Sequence, residues 1–182
     1  MVGKMTVHDQ SALEPALDDT TKRGILPQAI LADSHYGSNA CVELGKQRGV
    51  DMVSPSMPAK GKQQGKFTLE DFELNESGLI ARCPAGQAPE ETSIGTQKLQ
   101  VVFSSSDCQA CPHGSMCPAA AVGRASPRYQ YTPDRVRQRA RRLQDDTDKF
   151  RERYRWRAGV EATMSRYKHQ MGMAKLRVRG MA

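Results

Sequence analysis

Residues 24–55 read GILPQAILADSHYGSNACVELGKQRGVDMVSP, and this stretch decides the fold. The apolar run 28–32 ends at Asp33 and has the length and composition of a buried strand. Ser38 offers a side-chain oxygen to cap a helix running to about Arg48, and Gly49 is placed to stop it. Residues 50–54 read as a second strand. Strand, helix and strand joined by short links make a βαβ unit, so the two strands should run parallel. Functional groups in such sheets collect beyond the carboxyl ends of the strands, which is where Asp33 lies. Cys41, inside the expected helix, reads as a small buried residue.

Outward from this unit the pattern changes twice. Residues 9–22 upstream suit a short amphipathic helix with Asp9 as N-cap and Leu13 and Leu17 on one face. Downstream, 55–65 (PSMPAKGKQQG) is a loop by its Pro, Gly, Lys and Gln content. Next, DFEL, NESG and LIARC spell a hairpin, and KLQVVF spells another strand. From Thr132 the sequence becomes helical, with Thr-Pro-Asp as the start signal. The expected fold class is α/β with three parts. Residues 1–54 form a partial core, 55–131 a β-rich insertion containing cysteines, and 132–182 long basic C-terminal helices.

Charge is unevenly spread along this plan. Residues 124–182 hold 17 Lys and Arg against 6 Asp and Glu, whereas the preceding residues hold 10 against 14. A basic third on a slightly acidic body suggests a surface for a polyanion such as nucleic acid; a solvated Arg-rich helix face is the alternative. The N-terminus has no sustained apolar run, and no segment reaches membrane-spanning length. A cytoplasmic protein with no membrane partner is expected, and its five cysteines should then stay reduced.

The most informative helical stretch is YRWRAGVEATMSRYK, residues 154–168. At about 100° per residue, Tyr154, Arg157, Glu161 and Lys168 share a stripe about 60° wide. Trp156, Val160, Met164, Tyr167 and Met171 form an adjacent apolar stripe, expected to be buried. Periodicity alone allows a plain ion pair between Arg157 and Glu161. The spacing Tyr154-x2-Arg157-x3-Glu161-x6-Lys168, however, resembles the Y-x2-R-x3-E-x6-K signature of a group of bacterial insertion-sequence transposases of the DDE class. The continuation MGMAKLRVRG and the upstream LADSHYGS, which resembles the segment around the second catalytic Asp of these enzymes, agree with it.

The resemblance implies a ribonuclease H-like catalytic core and metal-dependent cleavage and joining of DNA strands. It makes Asp33 and Glu161 the catalytic carboxylates, ligands to Mg²⁺ (or Mn²⁺). Tyr154, Arg157 and Lys168 become DNA-binding residues, transposon ends and target DNA the partners, and a homodimer the assembly. A first catalytic Asp should stand on an earlier strand, but Asp9, Asp18 and Asp19 lie in or beside an expected helix. The chain therefore reads as the C-terminal portion of such a transposase, from a truncated or frameshifted gene, catalytically incomplete by itself. A non-catalytic DNA-binding, zinc-binding remnant and a decayed product without activity are the competing readings.

Two further constellations stand out. Cys83-x24-Cys108-x2-Cys111-x5-Cys117 has Pro after three of its members, which suits turns that aim thiolates at a structural Zn²⁺, with His113 as a substitute ligand. Reduced thiols without metal are the alternative. Arg135, Arg139 and Arg142 recur at i, i+4 and i+7 as one basic stripe, expected to contact the DNA backbone. His8, His35 and His169 show no ligand spacing.

Overall fold

Residues 9–119 and 126–170 are described by a computed structural model. His8, Met171 and the rest of the basic continuation 171–180 lie outside the described residues. The order of elements is α1 (Leu13–Lys22), β1 (Ala29–Leu31), α2 (Asn39–Gln47), β2 (Asp51–Val53), β3 (Glu73–Leu74), β4 (Ile80–Arg82), β5 (Glu91–Ile94), β6 (Leu99–Val102), α3 (Ser105–Gln109), β7 (Arg128–Tyr131), α4 (Pro133–Asp145) and α5 (Asp148–Gln170). The chain is thus mixed α/β, with small sheets and several helices. It divides into two units, one made of residues up to Pro55 together with those from Gln144 on, the other of Ser56–Leu143. Among the described residues no helix is long and apolar enough to cross a membrane.

The first unit contains the βαβ element. β1 and β2 pair in parallel, Ile30 opposite Met52. Ser38 accepts a hydrogen bond from Cys41 N–H at the start of α2, and Gly49 leaves the helix at φ +72. Both follow from residue type: a hydroxyl satisfies an orphan helix N–H, and only glycine takes that φ without strain. Leu13, Leu17, Ala32, Cys41, Val50 and Met52 form the core. Gly45 lets α2 lie against β2, since a Cβ there would stand 2.9 Å from Val50 O and collide with the Met52 side chain. β1 differs from the buried strand its composition suggests. Its pattern is half-buried to exposed, with Leu31 36% exposed, because β2 is the one strand beside it among the described residues.

The second unit is built around aromatic packing. β3 and β4 form the expected antiparallel hairpin, and β5-β6-β7 a three-stranded antiparallel sheet. Phe72 stacks on Tyr129 with ring centroids 5.0 Å apart, and Val101, Phe103, Ile80 and Tyr131 close the core. Tyr131 Oη accepts from Ile80 N–H at 3.0 Å and donates to Gly78 O at 3.4 Å, tying the sheet to the hairpin.

Candidate functional site

α5 begins where Thr147 Oγ1 accepts from Phe150 N–H at 3.3 Å, with Asp148 in its first turn. That pairing of a capping hydroxyl and an early acid starts a helix and complements its dipole. Two arginines one turn apart fasten α5 to the βαβ element. Arg153 pairs with Asp51, the first residue of β2, and Arg157 reaches Asp33, just beyond β1.

Asp33 sits at the strand end in extended conformation, its Oδ1 accepting from His35 N–H at 3.0 Å. Its carbonyl accepts from the Ser54 hydroxyl, which links the strand-end loop to the exit of β2. Gly37 has the same effect from the other side, because a Cβ there would strike the Pro55 carbonyl. The Asp33 carboxylate is therefore placed by backbone contacts and remains about half exposed.

Arg157 joins the two acids singled out by the sequence. Its Nη2 lies 3.7 Å from Asp33 Oδ2, and its Nε donates to Glu161 Oε1 at 2.9 Å. Its side chain is 24% exposed, against 63% for Glu161. Tyr154 belongs to the same cluster. Burial pushes its phenol up from the usual tyrosine range; the Arg157 charge opposes this, and the Glu161 and Asp33 charges add to it. The Tyr154 ring also stacks on Phe150 with centroids 5.6 Å apart. Asp33, Tyr154, Arg157 and Glu161 thus share one patch. Lys168 is not drawn into it: seven residues beyond Glu161, it stands about 10 Å further along the helix axis.

The apolar stripe of α5 departs from expectation. Trp156, Val160, Met164 and Tyr167 are 69%, 64%, 54% and 46% exposed, and every residue from 158 to 170 is exposed. The reason is size: 23 residues make a helix about 34 Å long, while two paired strands are only about 5 Å apart. Sequence reasoning also passed over Arg153 and Asp51. An acid opening a strand, with an arginine one turn before Arg157, was the available signal.

The other site residues fall in the second unit. Arg142 Nε donates to Met57 O at 2.7 Å, and its Nη1 meets Glu70 Oε1 at 2.9 Å. Arg139 Nη2 donates to Phe72 O at 3.2 Å. Arg135 is exposed and its guanidinium faces the Tyr129 phenol. All three stripe arginines therefore have a partner within the protein, and Arg135 alone of them is exposed. Cys83, Cys108, Cys111 and Cys117 are half-buried thiols. The His113 ring packs edge-on against Phe67, with centroids 5.5 Å apart. Among the described residues no group of three or more His, Cys, Asp or Glu side chains is placed to hold a metal ion.

Comparison with known proteins adds one finding. The family model of the transposase DDE domain matches residues 82–182, which include Glu161, Lys168, α4 and α5, while Asp33 precedes the match. No curated protein matches the chain, and no solved structure does. Since the match spans more than half of the 182 residues, the chain belongs to the transposase DDE domain family.

Proposed function

We propose that this chain acts in DNA transposition, with Asp33 and Glu161 as metal-binding carboxylates of a site that cleaves transposon ends and joins them to target DNA. The observation that carries the reading is the convergence of Asp33 and Glu161 on the Arg157 guanidinium. A strand-end acid facing a helix-borne acid is the arrangement a ribonuclease H-like core requires, and the Y-x2-R-x3-E-x6-K group is the transposase group assigned.

The donor set fits Mg²⁺ or Mn²⁺. Both acids offer hard oxygens, and a cationic group already occupies the space between them. Bound there, such ions would supply activation of the attacking oxygen and stabilisation of the leaving oxygen. The chain's own residues do the rest. Arg157, Tyr154 and Lys168 hold phosphate oxygens, the first and last by charge and Tyr154 by its hydroxyl. Arg135, the exposed member of its stripe, adds a backbone contact. In cleavage a water oxygen attacks phosphorus and the 3′ oxygen leaves as a hydroxyl. In joining, that hydroxyl attacks a target phosphate and displaces the target's own 3′ oxygen. Two copies act on paired ends. Among the described residues no third acid joins the pair, so metal binding is weak and complete cleavage by this chain alone is not expected.

The test measures metal binding rather than turnover. Free Mn²⁺ is followed by electron paramagnetic resonance as wild-type chain, Asp33→Asn and Glu161→Gln are added. The expected result is a loss of free signal with wild type that either substitution abolishes. Equal binding by all three would refute the assigned ligands. Salt-sensitive binding of duplex DNA without any Mn²⁺ binding would leave the non-catalytic DNA-binding reading in its place.

A further inference from the structure

The exposed end of α5 carries a repeat. Arg155-Trp156-Arg157 returns eleven residues later as Arg166-Tyr167-Lys168, an aromatic ring between two cations each time. Eleven residues make about three helical turns, so the two rings stand on one face, about 20° apart and about 16 Å along the axis. Val160 and Met164 fill the face between them, and all four of these side chains are exposed. On the same arithmetic Arg157 and Lys168 border this face on one side, and Arg155 and Arg166 on the other. The Arg155 guanidinium carbon lies 5.6 Å from the Trp156 ring centroid. Residues 155–170 hold four Arg and Lys against a single acid, Glu161.

Charge decides what covers this face. A second copy of it would bring like charges together, because both borders are cationic, whereas a polyanion is attracted. A DNA strand supplies both complements, phosphates for the cations and flat base faces for the rings. Paired bases hide those faces inside the duplex stack, so the rings gain little from a closed duplex. Arg157, which pairs with Asp33 and Glu161, also borders the apolar face, so a strand at the acids runs alongside it. We infer that Trp156 and Tyr167 are two stacking stations for unpaired bases of one DNA strand, with the four flanking cations on its phosphates. Taking the polyanion to be DNA rests on the function proposed above. What is added is the state of that DNA, a strand opened from its duplex beside the acids.

The experiment titrates the whole chain, in buffer without divalent metal, with an oligothymidylate and with a duplex of the same length. Trp156 is the single tryptophan, so emission reports on its own ring. The oligothymidylate should quench that emission, and the duplex should leave it near its free value. Trp156→Leu and Tyr167→Leu should each weaken binding of a labelled oligothymidylate by about 5–150-fold, the loss of one base stack. Duplex binding should weaken far less in both variants. Emission unchanged by oligothymidylate would overturn the inference, as would equal losses on single strand and duplex. Blue-shifted emission on phosphatidylserine vesicles, without any response to oligothymidylate, would overturn it in favour of a membrane surface. The wild-type emission decides the matter even where a leucine variant fails to fold. With no metal present, such a failure leaves the Mn²⁺ test of Asp33 and Glu161 untouched, and failure of that test leaves the Trp156 emission to be read by itself.

Discussion

Arg157 Nε lies 2.9 Å from Glu161 Oε1, one turn further along α5, and the guanidinium reaches Asp33 with its other edge. In the proposed site the same space must admit a metal, so the arginine and the ion compete for the carboxylates. Replacing Arg157 by Gln removes the competitor and also a phosphate contact. Exposed pairs of this type contribute about 0.2–1 kcal/mol, which sets the gain in Mn²⁺ affinity at about 1.4–5-fold. Duplex DNA binding should weaken in the same variant. Titration of Mn²⁺ and fluorescence anisotropy with labelled DNA measure the two effects separately. Equal metal affinity in the variant and wild type would show that Arg157 does not guard the acids.

Alkaline pH should unfold the chain through its tyrosines. Burial raises the phenols of Tyr129 and Tyr131, and of Tyr154 in the first unit. A raised folded-state value means that the native state holds the proton more tightly than the unfolded chain. The resulting stability is complete below the unfolded phenol value of about 10 and is lost as pH rises through the folded values. Denaturant midpoints measured from neutral pH upward should therefore fall in that alkaline window. Tyr131→Phe should cost about 1–3 kcal/mol at neutral pH, because the buried Ile80 N–H loses its acceptor. The variant should also show a shallower alkaline loss.

The βαβ element was legible because each part had a local cause. Ser38 caps, Gly49 stops, and the short links leave only a parallel pairing. The Asp33–Glu161 relationship was legible only through spacing that resembles a family, since nothing local says that residues 128 positions apart will share one guanidinium. β5 and β7 escaped notice. ETSI carries little apolar content, and RYQY alternates but is only four residues long; cross-strand pairing with β6 decides both. The basic stripe of α4 was legible as a stripe but not as a set of contacts. Arginine periodicity cannot tell a solvent face from one that meets Glu70 and backbone carbonyls.

Trp156 gives a direct check on the exposed stripe of α5. It is the chain's one tryptophan, and it is 69% exposed. Its emission should resemble that of tryptophan in water and should be quenched readily by iodide. Trp156→Ser should change stability by less than about 0.5 kcal/mol, as for ordinary surface positions. Blue-shifted emission with poor quenching would show that the stripe is covered in solution.

Arg142 separates a structural use of charge from a DNA-binding one. Its guanidinium is 20% exposed, facing a Glu70 that is 15% exposed and also held by Lys62 at 3.1 Å. Removing it leaves Glu70 with Lys62 alone and strips a donor from the Met57 carbonyl. Arg142→Ala should therefore destabilise the chain by about 1–3 kcal/mol, the cost of leaving hydrogen-bonded partners behind. Its effect on DNA should be small. An arginine that neutralises a phosphate contributes about 0.9 to the slope of log affinity against log salt, so losing one reduces that slope measurably. The salt dependence of duplex binding should stay unchanged in Arg142→Ala and should flatten in Arg135→Ala. A flattened slope in Arg142→Ala with unchanged stability would assign that arginine to the DNA instead.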